Sequence, residues 1–352
     1  MTSSQLKILI TGVGAPGTKG TIHCIQNSHL PPLRLIGVDL HEGAAGKALV
    51  DEFYTVPPPE SPSYFDRIQE ICILQDVDLI LPQTTREVAA LSSLREKLHA
   101  PVLVASREAI ELANHKGRLL EVFKQHHLPH PTFHLAQSLA EIEEAALQLG
   151  YPDSPVVIKP PCSSGMRGFR ILTEKQLSFE RFITEKPLGI EMPLRELLRI
   201  YEGAPSDFEV ILSEYLPGDE FSVDALLNEN HEVALVRRRN QIRTGISFVT
   251  TVEPHPELEK VVIEAGKLLG LTHLYGMQFK EDKEGHLKLL ECNPRVQGTM
   301  AATLSAGVNL IAHAISDALD LPSPPLTKNS ASSSFYRYWG GAFQNEGACH
   351  VF

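Results

Sequence analysis

The stretch Tyr275–Arg295, with the sequence YGMQFKEDKEGHLKLLECNPR, constrains the fold more strongly than the rest of the chain. Its centre, Asp282–Gly285, combines polar residues with a glycine and is typical of a tight turn, so the flanking runs are predicted to form two antiparallel strands. Because side chains alternate between the faces of a strand, Gln278 and Glu291 are expected on one face. That face also carries Gly276 and Leu289, and the opposite, apolar face carries Met277, Phe279, Leu290 and Cys292.

The polar face of this hairpin is a candidate metal site. Asn293 and Arg295 continue the polar alternation past the strand end, so they can converge with Gln278 and Glu291. Oxygen donors beside a guanidinium suit Mg²⁺ and a transferring phosphoryl group. The alternative is an amphipathic hairpin whose polar face only meets water.

The first third of the chain alternates short apolar strands with helices. Strands are predicted at Lys7–Thr11, Leu33–Asp39 and Val77–Leu81, and helices at Tyr64–Leu74 and Arg86–Leu98. This alternation predicts a parallel, Rossmann-like sheet over about residues 1–105.

The remaining elements are also predicted from periodicity and turn residues. Helices are expected at Glu108–His126, with Lys116 inside it, and at Leu139–Leu149, Glu257–Leu269 and Thr299–Leu319. Strands are expected at Val156–Lys159, Gly168–Leu172, Phe208–Tyr215, Glu220–Leu227 and Glu232–Arg237. Residues 321–334 have the composition of a loop.

A glycine pattern follows the first strand. Gly12, Gly14 and Gly17 precede a helix, and Asp39 ends the next strand, as in a dinucleotide-binding fingerprint. Taken alone the pattern would indicate NAD. Any tight turn between a strand and a helix also uses glycines, and Pro16 is an unusual continuation.

A second glycine-containing loop lies in VVIKPPCSSGMRGFRIL, residues 156–172. A strand ends on Lys159, and the loop that follows carries Ser163, Ser164, Gly165, Arg167 and Gly168. Such a loop can place backbone N–H groups and hydroxyls over phosphates, with a cation at its base. A Walker loop is excluded because GxxxxGK[ST] is absent, and the alternative is an exposed hairpin with a solvated lysine.

Two further segments are candidate binding elements. In SEYLPGDEFSVDAL, Glu214 and Leu216 precede a turn and Glu220 follows it, as in a connector that holds adenine and ribose, or in an ordinary hairpin. In VRRRNQIRTG the arginine cluster ends at Arg243 and is a candidate for binding a carboxylate or a phosphate, because guanidinium groups match these anions bidentately. A solvated basic hairpin is the alternative.

Composition limits the function classes. The chain has 352 residues, 43% of them hydrophobic, which is ordinary globular usage. A net charge of −11 argues against a nucleic-acid partner or a membrane surface. The absence of a run of 18 apolar residues and of a leader pattern predicts a cytoplasmic protein, and five scattered cysteines predict reduced thiols without zinc.

Together these segments resemble the ATP-grasp superfamily, and more closely a short form of the carbamoyl-phosphate synthase large chain and related carboxylate–amine ligases. The segments HKGRLLEVFKQHHLPHPTF, VVIKPPCSSGMRG, SEYLPGDEFSVD, GMQF and LECNPR occur in the family's order. The resemblance implies an α/β (α+β ATP-grasp) fold. It divides the chain into a Rossmann-like pre-ATP-grasp domain at 1–105, an N-terminal lobe with a phosphate flap at 106–212 and a C-terminal lobe with the metal-binding hairpin and a tail at 213–352.

The resemblance also implies ATP and Mg²⁺ as cofactors, with Mn²⁺ as an alternative ion, and it implies a role for each matching residue. Lys116 and Lys159 would contact phosphates; Ser163, Ser164, Gly165 and Gly168 would form the flap; Glu214, Leu216 and Glu220 would hold adenine and ribose; Gln278, Glu291 and Asn293 would hold the metal; and Arg295 would stabilise the transferred phosphoryl group. Gln278 is neutral where many relatives have an acid.

The implied reaction is phosphorylation of a carboxylate to an acyl phosphate that an amine, or another nucleophile, then attacks. From the arginine cluster we expect Arg243, or a neighbour within residues 237–243, to bind the acid or its acyl phosphate. The expected partners are a small carboxylate and an amine, and a homodimer is compatible with the resemblance. Two other classes stay open: an NAD(P)-linked oxidoreductase built on Gly12–Gly17, and a nucleotide-binding regulatory protein without turnover.

Overall fold

A computed structural model describes residues 5–163, 165–175, 178–184, 189–243, 245–338, 340–345 and 348–351. The chain forms two compact units. The larger unit comprises Met1–Asn114, Glu220–Gln278 and Cys292–Phe352, and the smaller unit comprises His115–Asp219 and Phe279–Glu291. The three segments predicted from the sequence do not follow these units, and their boundaries remain a prediction.

The larger unit begins with a parallel sheet. Its strands are β1 (Leu6–Thr11), β2 (Leu33–Asp39), β3 (Glu52–Thr55) and β4 (Leu79–Leu81), in the order β3–β2–β1–β4. The accompanying helices are α1 (Thr18–Gln26), α2 (Ser63–Gln75), α3 (Thr85–Ser92) and α4 (Arg107–Asn114), with 3-10 turns at Ala45–Leu49 and Arg95–Lys97. β1 pairs in parallel with β2 and β4, which confirms the predicted Rossmann-like sheet.

The smaller unit contains a mostly antiparallel sheet. Its strands are β5 (Phe133–Ala136), β6 (Val156–Lys159), β7 (Arg170–Leu172), β8 (Glu191–Met192) and β9 (Val210–Glu214), in the order β5–β9–β6–β7–β8. Its helices are α5 (Lys116–Gln125), α6 (Leu139–Gln148), α7 (Phe179–Thr184) and α8 (Leu194–Tyr201). The apolar face of α6 and α8 packs on this sheet, where Ile142 and Leu197 share a buried cluster with Ile158 and Leu212.

The remaining strands form a third sheet. They are β10 (Glu220–Leu227), β11 (Glu232–Arg243), β12 (Ile246–Glu253), β13 (His273–Glu281), β14 (Leu287–Asn293) and β15 (Ser333–Tyr336), in the order β14–β13–β10–β11–β12–β15. The other elements are α9 (Pro256–Leu268), a 3-10 turn at Met300–Ala306, α10 (Leu310–Ala318), β16 (Ala342–Asn345) and β17 (Ala348–Val351). The end of the predicted 321–334 loop therefore begins β15, which pairs with β12.

The hairpin between β13 and β14 matches the sequence prediction. The Asp282 side chain accepts hydrogen bonds from the N–H groups of Glu284 (3.0 Å) and His286 (2.8 Å), which fixes the predicted turn. Met277 and Leu289, predicted on opposite faces, are both fully buried. The hairpin face that carries Leu289 is therefore partly covered by protein and is not simply a solvated surface.

The predicted helix Glu108–His126 is wrong in one respect, because it is interrupted at His115. The backbone of His115 is extended (φ −90°, ψ 94°), and its ring accepts a hydrogen bond from the N–H of Arg118 at 3.2 Å. The N–H of Lys116 donates to the carbonyl of Pro161 at 2.9 Å instead of continuing a helix. Lys116 is therefore the first residue of α5 and not an interior residue of a longer helix.

The predicted helix Thr299–Leu319 is also interrupted. Gly307 has a φ of +80°, in the left-handed region, and ends a 3-10 turn. Asn309 then caps α10 by accepting a hydrogen bond from the N–H of Ala312 at 3.1 Å.

One continuous apolar core joins the parallel sheet and the C-terminal segments of the larger unit. Buried Ile10 of β1 and Ile25 of α1 belong to the same cluster as Leu235 of β11 and Ile311 of α10. The Asn309 side chain also donates to the carbonyl of Cys24 at 2.7 Å. Among the described helices, none is long and apolar enough to cross a bilayer.

Candidate active site

Two lysines and a carboxylate lie close together in the smaller unit. Lys159 ends β6, is 8% exposed, and donates from Nζ to the carbonyl of Leu290 at 3.1 Å. Lys116 begins α5, and its Nζ lies 3.7 Å from Oε2 of Glu291. The same Nζ donates to the backbone carbonyl of Ser163 at 2.8 Å. The structure thus brings together four of the residues predicted from the sequence.

Burial sets the charge of Lys159. Burial and the positive charge of Lys116 lower the pKa of this lysine, the carboxylate of Glu291 opposes them, and the net pKa is about 8. Lys159 is therefore mostly protonated at neutral pH, and its positive charge suits an anionic ligand.

The loop between β6 and β7 is held at its beginning by two hydrogen bonds, at Pro161 and Ser163. Lys116 binds it twice, through its backbone N–H to Pro161 and its side chain to Ser163. Gly165 and Gly168 follow in an exposed stretch, and Ser164 lies outside the described residues. The contacts of Gly165 and Gly168 with phosphates remain a prediction.

The predicted adenine-binding segment also lies in the smaller unit. The Glu214 side chain accepts a hydrogen bond from the N–H of Thr132 at 2.7 Å, and the Glu214 N–H donates to the Thr132 carbonyl at 3.0 Å. Leu216 is 4% exposed. The roles of Glu214 and Leu216 toward a nucleotide remain predictions.

An arginine that the sequence did not single out organises the polar residues of the larger unit. Arg239 is buried, pairs with the carboxylate of Glu220, and donates to Oε1 of Gln278 at 3.3 Å. It also donates to Oγ of Ser247 at 2.9 Å and to the carbonyl of Gly245 at 2.6 Å. Glu220 and Gln278, predicted to bind ribose and metal, are therefore linked through one guanidinium.

Arg243, which the sequence favoured, lies in a different environment. It is exposed, and its guanidinium carbon lies 4.6 Å from the ring centroid of Phe248. Alternation along β11 gives no signal for Arg239, because Arg239 and Arg243 are four residues apart and would share one face of a regular strand. The register of β11 against β12 shifts between Arg238 and Gln241. Binding of the acid substrate by Arg243 remains a prediction.

Arg295 is fixed by contacts within the larger unit. Its guanidinium donates to Oδ1 of Asn293 at 3.3 Å, to the carbonyl of Val296 at 2.8 Å and to Oγ1 of Thr85 at 3.1 Å. Thr85 begins α3, and its contact could not be foreseen because the two residues are far apart in sequence. Glu291 and Asn293 are alternate residues of β14 and therefore face the same side of that strand.

The glycine loop of the parallel sheet has a packing explanation. Both oxygens of Asp39 accept backbone hydrogen bonds, from Gly14 at 2.7 Å and from His41 at 3.0 Å. A Cβ added at Gly17 would lie 2.7 Å from Cα of Gly298, so only glycine permits this approach. These contacts account for Gly14, Gly17 and Asp39 without a dinucleotide.

Two protein-family models match the chain. The model described as "PylC-like, N-terminal domain" matches residues 8–103. The model described as "ATP-grasp in the biosynthetic pathway with Ter operon" matches residues 206–336.

Curated relatives include carbamoyl phosphate synthase large chains. That of Clostridium acetobutylicum is 24% identical over 251 residues, which cover 67% of this chain and 21% of the relative. That of Bifidobacterium animalis subsp. lactis is 41% identical over 227 residues, which cover 62% of this chain and 20% of the relative. The chain therefore spans about a fifth of the length of these relatives.

Solved structures share the fold. N5-carboxyaminoimidazole synthetase from Staphylococcus aureus has a TM-score of 0.70 at 17% identity, covering 94% of this chain and 82% of that one. The biotin carboxylase domain of the Hydrogenobacter thermophilus 2-oxoglutarate carboxylase, a dimer solved with MgADP and bicarbonate, has a TM-score of 0.70 at 19% identity, covering 94% and 74%. The predicted fold class and family resemblance are confirmed.

Proposed function

We propose that this chain, an ATP-grasp protein with a PylC-like N-terminal domain, is an ADP-forming carboxylate–amine ligase. A carboxylate oxygen of the acid attacks the γ-phosphorus of ATP, the β–γ phosphoanhydride bond breaks, and ADP leaves. The nitrogen of an amine, or another nucleophile, then attacks the acyl carbon, and the carbon–oxygen bond to phosphate breaks. The observation that carries the proposal is the Lys116–Glu291–Lys159 cluster, within a chain that matches an ATP-grasp family model.

Lys116 and Lys159 bind the phosphates of ATP in this proposal. Lys116 already contacts Glu291 and the carbonyl of Ser163, so an incoming phosphate exchanges for part of these contacts. The Ser163–Gly168 loop covers the phosphates and excludes water, which would hydrolyse the acyl phosphate. Glu214, Leu216 and Glu220 hold adenine and ribose.

Gln278, Glu291 and Asn293 would hold Mg²⁺, or Mn²⁺ in its place. The donor set fits a hard cation, because it offers one carboxylate and two amide oxygens. The ion would supply charge neutralisation for the transferring phosphoryl group. Arg295, oriented by Asn293 and Thr85, stabilises the same developing charge with its guanidinium.

The acid substrate binds Arg243, and the partners of the chain are small molecules: a carboxylate and an amine. We also propose a cytoplasmic homodimer, supported by the dimeric state of the biotin carboxylase domain. Sedimentation of the purified chain would test that state.

An ADP-release screen of carboxylic acids crossed with amines tests the reaction, after thermal-shift measurements with ATP·Mg²⁺, ADP·Mg²⁺ and NADH. We expect stabilisation by both adenine nucleotides, no stabilisation by NADH, and ADP release that depends on one acid and one amine. Stabilisation by NADH alone would favour an oxidoreductase. Nucleotide binding without acid-dependent ADP release would favour a regulatory protein.

A further inference from the structure

Arg337, in the tail that follows α10, connects three distant segments of the larger unit. Its Nε donates to the carbonyl of Ser247 at 3.2 Å, and Nη1 donates to that of Pro16 at 3.4 Å. Nη2 donates to the carbonyl of Gly298 at 2.7 Å and to Oγ1 of Thr299 at 3.1 Å. The tail thus reaches the glycine loop after β1 and the loop after Arg295.

All of these acceptors are neutral. Within the part of the chain that the structure describes, Arg337 meets no carboxylate, whereas Arg237 pairs with Asp224 and Arg239 pairs with Glu220. Burial lowers the pKa of the Arg337 guanidinium, and the charge of Arg237 lowers it further. Arg337 therefore carries a positive charge that its described neighbours do not neutralise.

Further positive charge surrounds the same loop. Lys19, exposed in the first turn of α1, lies 5.5 Å from the ring centroid of exposed Tyr338 and has no acidic partner among the described residues. Arg237 is 1% exposed and its charge is balanced by Asp224, although its Nη1 has no hydrogen-bond partner in the described structure. The positive end of the α1 dipole adds to this field.

The surroundings are open to a ligand. Gly14, Pro16 and Gly298 are all exposed, and Lys19 contacts Tyr338, the residue that follows Arg337. Two cations without carboxylates beside an exposed loop favour the binding of an anion over a purely structural clamp.

We propose that Arg337 and Lys19 bind an oxyanion, a phosphate or a carboxylate, that the acid substrate carries in addition to the carboxylate that is phosphorylated. This inference rests on the proposed ligase function and narrows its substrate class to acids with a second anionic group. Monocarboxylic acids without such a group are then poor substrates.

Isothermal titration of the full chain with inorganic phosphate, and separately with malonate, tests the proposal. We expect one saturable site in the wild type. Arg337→Gln should weaken binding about tenfold, because the positive charge and the remaining guanidinium N–H are lost, and Lys19→Gln a few-fold. Arg337→Lys should retain part of the affinity, while Arg86→Gln, an exposed arginine paired with Glu60, should change nothing. The preferred titrant distinguishes a phosphate from a carboxylate.

Two results would overturn the proposal: no saturable binding of either anion to the wild type, or equal affinity in Arg337→Gln and Lys19→Gln. Binding that Lys159→Gln removes and Arg337→Gln keeps would assign the anion to the nucleotide phosphates instead. ADP·Mg²⁺ affinity, measured on the same samples, should be unchanged by Arg337→Gln. Absence of ADP·Mg²⁺ binding in the wild type would count against the ligase proposal itself. The anion titrations would still show whether Arg337 and Lys19 bind an anion.

Discussion

The Nζ of Lys116 lies 3.7 Å from Oε2 of Glu291, so the first residue of α5 pairs with a residue near the end of β14. The pair is partly exposed, and such pairs contribute little to stability. We therefore expect Lys116 and Glu291 to matter for nucleotide binding more than for the stability of the fold.

Glu291→Gln should reduce ADP formation at least about a hundredfold while the protein stays folded, because the variant keeps the shape of the side chain but loses the charge that holds a metal ion. Steady-state ADP release and a thermal melt measure the two effects. Glu284→Gln, in the exposed turn of the same hairpin, is the matched control. Wild-type turnover in Glu291→Gln would remove this residue from the metal site.

Nucleotide affinity should fall as the pH rises through about 8, where buried Lys159 loses its proton. Titrations with ADP·Mg²⁺ between about pH 6.5 and 9.5 measure this, and Lys159→Gln should abolish both the tight binding and its pH dependence. The pKa of Lys159 in the folded protein lies below its value in the unfolded chain. At a pH between these two values the unfolded chain binds more protons, so the free energy of unfolding should rise with pH there. A pH-independent affinity in the wild type would contradict the assignment.

Arg243→Lys and Arg239→Lys should behave differently. Arg243→Lys keeps the charge but loses the fork, so the KM for the acid should rise about tenfold while the KM for ATP changes little. Arg239→Lys should lower the free energy of unfolding by about 2 kcal/mol, because a lysine cannot replace its contacts with Glu220, Gln278 and Ser247 together. Equal rises in both KM values for Arg243→Lys would move that arginine to the nucleotide site.

Acid should destabilise the larger unit through a histidine cluster. Burial, together with the positive charges of His29 and His231, whose ring centroids lie 5.1 and 5.6 Å away, lowers the pKa of His313 to about 4 against the opposing effect of Asp317. Ser316 forms a hydrogen bond with His29, and Asn228 donates a hydrogen bond to Asp317, so these two polar residues complete the surroundings of His313.

The folded state therefore binds fewer protons at His313 than the unfolded state, and stability should fall by about 2 to 3 kcal/mol between pH 6.5 and 4. Urea unfolding as a function of pH should show a smaller loss in His313→Gln than in the wild type. Exposed His99→Gln is the control. An identical pH dependence in wild type and His313→Gln would show that other groups dominate.

Sequence patterns predicted the regular elements well where local chemistry sets them. The bounds of β6 and β10 agree with the predicted Val156–Lys159 and Glu220–Leu227. The interruption at His115 was missed because the bond from Lys116 to Pro161 depends on a loop distant in sequence. The predicted helix Thr299–Leu319 was wrong at Gly307, because helical periodicity carries no information on a left-handed backbone there.

The candidate site was predicted to a similar extent. Motif matching found Lys116, Lys159 and Glu291, which meet in the smaller unit. Alternation along β11 places Arg239 and Arg243 on the same face, so it could not rank one above the other; their different exposure depends on the neighbouring strands and on the register shift between Arg238 and Gln241. The contacts of Thr85 with Arg295, and of Arg337 with Pro16, join segments hundreds of residues apart, so no local pattern announces them.

The shared core of the larger unit has a consequence for biosynthesis. The apolar side of α1, with Ile22 and Ile25, is completed by Leu310 and Ile315 of α10. During translation the parallel sheet leaves the ribosome long before α10 is synthesised. The apolar surface that α10 covers therefore stays exposed to water until the end of the chain has been made. A fragment that stops at residue 105 should consequently aggregate, which makes the amino-terminal module poorly suited to expression by itself.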